Sequence, residues 1–460
     1  MKLNLAKVLK SPELYIFVIA LVLRIYAALD PFLHPWDERY HALVARNLID
    51  NPLFFKLIPV DFIALNDEDW RWSYIWLHKP PLTLWLIAGS LKLFGITELA
   101  VRVPSILLGS FGCLLTYKIA SQISSFRVGL CAAILHAGDS LLIQLASGRH
   151  RTDHVDATMV FFCELAVFFG LAIAKNDRWK NRLAFILSLA CAILSKWLLA
   201  FMVLPSIFIL LFSERRRFWE SALKSAILGL SALTIALPWT LYTHYHFPLQ
   251  VAWESKQYLI HMTESLDGHS GPWIYFIDNM WKLWGRLVFV PLLVGIAICL
   301  LSKNFRLIGI LAWFLLPIGF FSCVATKMPA YVAIGSPAAF IVIALGICKL
   351  TELSPQAANV MGKIAVAAFF LLWTRELKQA LFQSPDYAKR TLEISSTYKK
   401  VKLNLPANSV LVVASHPIEA MFYFGIPCVS EKFPQIQINK IHSLGYRIFE
   451  LNADGTTSEI

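Results

Sequence analysis

The residues best suited to chemistry stand together near the start of the chain, in Pro35-Trp36-Asp37-Glu38-Arg39-Tyr40-His41. Two adjacent carboxylates follow an apolar stretch over 14–30, so they fall where a membrane span meets water. A carboxylate at that depth gains basicity from burial, which suits it to take a proton from a hydroxyl near neutral pH. Further polar clusters interrupt the apolar pattern downstream. They are His78/Lys79, Arg102, Arg149/Arg151/Asp153/Asp156, Lys196, His244/His246/His261/His269 and Lys327/Tyr331. Charges at membrane depth are expensive and usually functional. Several cations gathered with a few carboxylates point to an anionic substrate plus an acid or base, and a phosphate is the natural match for lysine and arginine.

The elements that must position these residues are membrane spans. Of 460 residues, 57% are hydrophobic and only 16% charged, against roughly 25% charged in a soluble domain. The net charge of +12 does not indicate nucleic acid, because the basic residues sit mainly in short loops, where they set orientation. Lys2, Lys7 and Lys10 place the N-terminus inside, with 14–30 as a retained signal-anchor span carrying Arg24. The run 40–49 suits an amphipathic helix on the membrane surface, and Trp70, Trp72, Tyr74 and Trp76 suit the headgroup belt. Lys118/Arg127 and the run from Lys175 to Arg182 belong inside, which leaves 149–156 outside and makes 81–95 a segment that does not cross. Spans follow near 157–174, 183–195, 197–212, 221–240, 284–301, 306–324, 331–349 and 360–374.

The expected fold is thus an all-α polytopic membrane protein with about eleven transmembrane helices in 1–375, outer loops at 31–80 and 241–281, and a small soluble α/β domain in 376–460. Within that domain 410–414 and 446–451 read as strands, and 417–423 and 440–444 as helices. Seven of the eight cysteines lie in apolar segments with no CxxC pair, so they read as small packing residues.

Read in order, the polar clusters resemble those of the polyprenyl-phosphate-sugar-dependent glycosyltransferases of GT-C fold, the protein O-mannosyltransferases and the lipid A aminoarabinose transferase. The matching stretches are Trp36-Asp37-Glu38, His78-Lys79-Pro80-Pro81-Leu82, Arg102-Val-Pro104-Ser, and Arg151-Thr-Asp-His-Val-Asp156 opening a span. Leu194-Ser-Lys196-Trp, Gly268-His269-Ser-Gly-Pro272-Trp and Lys327-Met-Pro329-Ala-Tyr331 complete the series. Each motif alone is weak; seven in order, all on the expected outer face, are specific. The resemblance covers residues 30 to about 340 and leaves the tail aside.

The resemblance implies transfer of a sugar from a polyprenyl (undecaprenyl or dolichyl) monophosphate to a hydroxyl or phosphate of a lipid, glycan or protein acceptor, with inversion. Asp37 is then the expected base, with Glu38 orienting a partner and Asp156 contacting sugar or acceptor. Asp156 equally suits the N-cap of its own span. Lys79, Arg102, Arg151, Lys196, Lys327 and Tyr331 are the expected donor-phosphate residues, Lys196 and Lys327 foremost, though Arg102 could snorkel and Tyr331 could be an interfacial aromatic. Asp153 reads as a solvated neighbour. No cofactor is required by the reaction, but His78 and His269 could hold a divalent metal such as zinc or hydrogen-bond substrate hydroxyls. Trp253, Trp273, Trp281 and Trp284 could line a sugar or prenyl groove or anchor at the interface. The expected partners are the lipid-linked donor, the acceptor and membrane lipids, with no nucleic acid, at a bacterial inner membrane with a periplasmic site. The rival reading, a transporter or flippase for a polyprenyl-linked or anionic substrate, requires polar residues on both faces and often an inverted repeat; neither is visible.

Overall fold

The structure is a computed structural model and describes residues 11–63, 69–215, 217–353, 356–401, 403–452 and 454–460. Lys2, Lys7 and Lys10, used above for orientation, lie outside the described residues. The helices in chain order are α1 (Pro12–Ala27), α2 (Asp37–Asn47), α3 (Pro81–Phe94), α4 (Glu98–Ile123), α5 (Phe126–Ala137), α6 (Ser140–Ala146) and α7 (Asp153–Lys175). They continue with α8 (Trp179–Lys196), α9 (Leu204–Arg215), α10 (Phe218–His246), α11 (Pro248–Thr263), α12 (Tyr275–Trp284), α13 (Phe289–Leu301), α14 (Phe305–Cys323) and α15 (Ser336–Thr351). The last are α16 (Gln356–Leu381), α17 (Pro385–Lys400), α18 (Pro417–Phe424) and α19 (Gln435–Ser443). Local chemistry sets many of the starts. Ser11, Ser125, Asp139 and Ser384 each accept a hydrogen bond from a backbone N–H three residues on, satisfying donors that a helix start leaves open.

The chain divides into two units. The first holds residues 1–28, 105–243 and 255–382. Its core runs through α7–α9 and α13–α15, with Trp313 and Phe340 fully buried. Helices α13 and α15 pass with backbones almost touching, because Gly295 faces the Val342 carbonyl and Gly346 the Pro291 carbonyl. Arg24 is buried in this unit, with carbonyl acceptors at Ala20, His136 and Ala137.

By length and composition, six stretches among the described residues can cross a membrane: α4, α7, Trp179–Glu214, α10, α14 and Pro329–Thr351. The count reaches eight if the bent pairs Phe126–Ala137 with Ser140–Ala146 (53°) and Tyr275–Trp284 with Arg286–Leu301 (109°) each form one span. The expected count of about eleven is thus not confirmed among the described residues. One reason is that 183–195 and 197–212 join in one run through a 3-10 segment, Trp197–Val203. Helix α3 has 14 residues, about 21 Å of rise against roughly 30 Å of hydrocarbon.

The second unit holds residues 29–104, 244–254 and 383–460. Its sheet has the order β2-β1-β3-β4, where β1 is Ser409–Val412, β2 Cys428–Val429, β3 Arg447–Leu451 and β4 Thr457–Glu459. Strand β1 pairs parallel with both β2 and β3, and β4 returns antiparallel on β3. The two strands and two helices read from the tail sequence are present. Strands β2 and β4, of two and three residues, are too short to give a pattern. Helix α2 is not the surface helix expected over 40–49. It starts at Asp37, and Glu38, Tyr40, His41, Ala42, Leu43, Val44 and Ala45 are all buried. The expected outer loop 241–281 is largely helical, in α11 and α12.

Candidate active site

In the second unit, Asp37 and Glu38 form the first turn of α2, where open N–H groups favour negative charge. Their environments diverge at once. Glu38 is fully buried and accepts from Arg102 Nε (2.6 Å), Arg102 Nη2 (3.0 Å) and the His34 backbone N–H (2.6 Å). Arg102, also fully buried, donates further to the carbonyls of Asp30 (2.7 Å) and Phe32 (2.6 Å). The expectation that Arg102 binds phosphate is corrected, since its guanidinium is spent on Glu38 and the 30–32 backbone. Glu38 is likewise a brace rather than a catalytic group, because its oxygens hold that guanidinium.

Asp37 instead keeps 15% of its side chain exposed and faces Lys79 Nζ at 3.7 Å, with Lys79 14% exposed. A short antiparallel pairing of 55–58 with 73–76 leads the chain to this point, through Leu57 N to Tyr74 O and Trp76 N to Phe55 O. Pro81 then starts α3, a position where its missing N–H costs nothing. His78 stacks on Trp70 at 4.7 Å and pairs through Nδ1 with Glu254 Oε2 at 3.2 Å. Burial lowers the His78 pKa, helped by Lys79 and opposed by Glu254 and Asp37. The imidazole is therefore held toward its neutral form. Glu254 was not singled out in the sequence. It lies within α11 beside Trp253 with no motif around it, and only the fold brings it to His78.

The first unit gathers the other motifs. Helix α7 follows Thr152 in a left-handed conformation (φ 70°). Asp156 lies in its first turn, past the cap position, and is fully buried. Its Oδ1 accepts from Lys196 Nζ at 2.5 Å, while Oδ2 has no partner among the described residues. The alternative of Asp156 as N-cap is thus set aside. Asp153 is buried too, contrary to the expectation of a solvated neighbour. Lys196 ends α8, and its ammonium lies 5.2 Å from the Tyr331 ring centre, which makes Tyr331 more than an interfacial aromatic.

Arg151 Nη1 donates to His269 Nε2 at 2.5 Å. The loop carrying His269 is laced to the segment before Tyr331, through Lys327 N to His269 O (2.9 Å), Thr326 N to His261 O and Ala325 N to Met262 O. Two motifs 58 residues apart in sequence are joined by this lacing. Lys327 itself is buried, with its ammonium turned back on the Val324 carbonyl. His150, in the loop before α7, has its pKa lowered by burial, with Asp156 among the opposing charges. His244 and His246 are exposed. Trp284 is buried and donates to Asp139 Oδ1 at 2.7 Å, whereas Trp273 is exposed.

The two histidines considered for a divalent metal each have a ring nitrogen engaged by a protein side chain. His78 Nδ1 is engaged by Glu254 and His269 Nε2 by Arg151. Among the described residues no three His, Cys, Asp or Glu side chains converge as a metal site.

Residues 78–242 match the family described as dolichyl-phosphate-mannose-protein mannosyltransferase. Among curated relatives, the undecaprenyl phosphate-alpha-4-amino-4-deoxy-L-arabinose arabinosyl transferase of Photorhabdus laumondii is 23% identical over 359 residues, 72% of this chain and 62% of that protein. A second such transferase, from Proteus mirabilis, is 27% identical over 348 residues, 72% of this chain and 58% of that protein. The chain thus spans less than two thirds of these relatives. Among solved structures, ArnT from Cupriavidus metallidurans bound to undecaprenyl phosphate superposes with a TM-score of 0.66 at 15% identity, over 96% of this chain and 93% of that one. The archaeal oligosaccharyltransferase AglB from Archaeoglobus fulgidus, in complex with an inhibitory peptide and a dolichol-phosphate, gives 0.57 at 10% identity, over 97% and 74%. The fold is that of the GT-C membrane glycosyltransferases, and the resemblance drawn from the ordered motifs holds across all three comparisons.

Proposed function

We propose that this chain is an integral membrane glycosyltransferase that moves a sugar from a polyprenyl monophosphate carrier to a hydroxyl or phosphate of a lipid, glycan or protein acceptor. The observation that carries the reading is the divergence of the adjacent carboxylates. Glu38 is sealed against Arg102, while Asp37 stays partly exposed and pairs with Lys79 at 3.7 Å. That suits Asp37 to accept the acceptor's proton as its oxygen attacks the anomeric carbon. The bond from that carbon to the phosphate oxygen then breaks, and the phosphate leaves with the electron pair and an added negative charge. Lys196, with Arg151 and Lys327, supplies the positive charge that stabilises this departure. Asp156 holds Lys196 and offers its second oxygen to a substrate hydroxyl. The distribution of basic residues among the loops supports the outer face for this chemistry, periplasmic if the membrane is a bacterial inner one.

The test is a transfer assay with purified protein, radiolabelled undecaprenyl-phosphate sugars and a membrane extract as acceptor. Wild-type protein is expected to move label off the carrier. Asp37→Asn should be slower by roughly 10²–10⁴-fold, the usual contribution of a positioned general base. A carrier left intact with every sugar would overturn the donor assignment. An Asn variant as active as wild type would remove Asp37 as the base.

A further inference from the structure

A cavity of about 510 Å³ opens in the second unit, with neither Asp37 nor Lys79 in its lining. Its walls come from α2 (Arg39, Tyr40), the 69–72 loop, and the turns that follow β1 and β2. The carboxyl ends of parallel strands are where open α/β sheets bind ligands, and this volume lies in the range of small-molecule pockets.

Three buried polar atoms of the lining have no hydrogen-bond partner among the described residues: Arg39 Nε, Trp72 Nε1 and Glu419 Oε2. Glu419 is only 4% exposed. Leaving such groups unsatisfied is costly, so a cavity presenting two donors and one acceptor together is built for a ligand offering the complementary set.

The charge balance selects the ligand's class. Arg39 is paired with Glu419 at 3.1 Å and Arg71 with Asp69 at 2.9 Å. Across the lining three Arg and Lys side chains (Arg39, Arg71, Lys432) meet three carboxylates (Asp69, Glu419, Glu431). A phosphate or carboxylate ligand would find no net attraction here. A neutral polyol would, because its hydroxyls both donate and accept, and the aromatic side chains of Tyr40, Trp72 and Phe433 suit the apolar face of a sugar ring.

We propose that this cavity is a saccharide-binding site that holds a sugar residue of the acceptor. The proposal rests on the glycosyltransferase reading only for the word acceptor; the binding itself is independent of it. The acceptor is thereby a glycan, free or as the head of a glycolipid.

The full chain, in a detergent without a sugar headgroup, is to be titrated with a panel of methyl glycosides, free oligosaccharides and lipopolysaccharide. Saturation-transfer NMR reads contact with the sugar protons directly, with no need for turnover. At least one saccharide should bind, with affinity unchanged between low and high salt. Trp72→Phe, which keeps an aromatic ring and deletes the donor, should weaken it about tenfold, as should Glu419→Gln. Binding by lipopolysaccharide but not by free sugars identifies the glycolipid as the source, and the reverse a free glycan. The proposal is overturned if nothing in the panel binds, if binding fades with salt as for an anion, or if Trp72→Phe binds like wild type while keeping its thermal unfolding midpoint. A panel member that binds although no sugar is transferred would fault the enzymatic reading and leave this site standing.

Discussion

Asp37 and Glu38 show how neighbours in sequence acquire opposite duties. Glu38 neutralises a guanidinium that is fully buried and tied to the 30–32 backbone. Removing its charge leaves Arg102 uncompensated, and breaking a buried pair costs about 3–5 kcal/mol. Glu38→Gln is therefore expected to lower the thermal unfolding midpoint in detergent sharply. Asp37→Asn, at a partly exposed position, should leave that midpoint near wild type and slow transfer instead. Equal thermal loss in both variants would contradict the division. His78 adds a pH dependence. Burial holds its folded pKa below the ordinary 6.5, so the folded state binds a proton less readily than the unfolded one. Stability is thus complete above about pH 6.5 and falls as pH drops from there toward the folded pKa. Unfolding midpoints between pH 7.5 and 5 should decline less in His78→Gln than in wild type; parallel declines would exclude the histidine as their source. At this scale the sequence was legible where spacing marks a motif, as with His78-Lys79 and Lys196. It was not legible where the partner decides the role. Nothing in Arg102-Val-Pro104-Ser tells a phosphate ligand from a brace, and Glu254 carries no pattern at all.

Among the elements, the crossing of α13 and α15 is the tightest packing described. Gly295 and Gly346 let each helix rest on a backbone carbonyl of the other, the small-residue contact that membrane helices use in place of hydrophobic burial. Gly346→Ala must push the helices apart, at a cost of about 1–3 kcal/mol. Gly319→Ala in α14 meets no atom within 4 Å and should be neutral or slightly stabilising. Thermal unfolding of the two variants separates them, and similar midpoints would show that the crossing tolerates a methyl group. The helices themselves were legible because apolar runs long enough to span announce their type. Their joints were not. The break at Lys196–Trp197 depends on a positive φ at a tryptophan, and the bend of 109° before α13 turns at Gly285, whose φ is 82°. The short strands β2 and β4 owe their existence to pairing with β1 and β3, which is long-range information.

At the scale of the molecule, the basic loops predict which residues face which compartment. In a variant with Cys323 replaced, since that thiol is exposed, Ser270→Cys should react with a membrane-impermeant maleimide in intact cells. Lys180→Cys should react only after permeabilisation. The opposite pattern would invert the orientation and move the proposed chemistry to the other face. The tail has a consequence for genetics. Glu98, at the first residue of α4, is held by Tyr423 and Lys399, both at 2.5 Å. Lys399 also reaches the Pro31 carbonyl (2.7 Å), Tyr387 shares a hydrogen bond with His34 (2.9 Å), and Glu419 holds Arg39. The last eighty residues thus clasp the segment that leads into α2 and Asp37. A nonsense codon just after the one for Leu381 would spare every membrane-crossing candidate, yet it should give the same phenotype as a null allele.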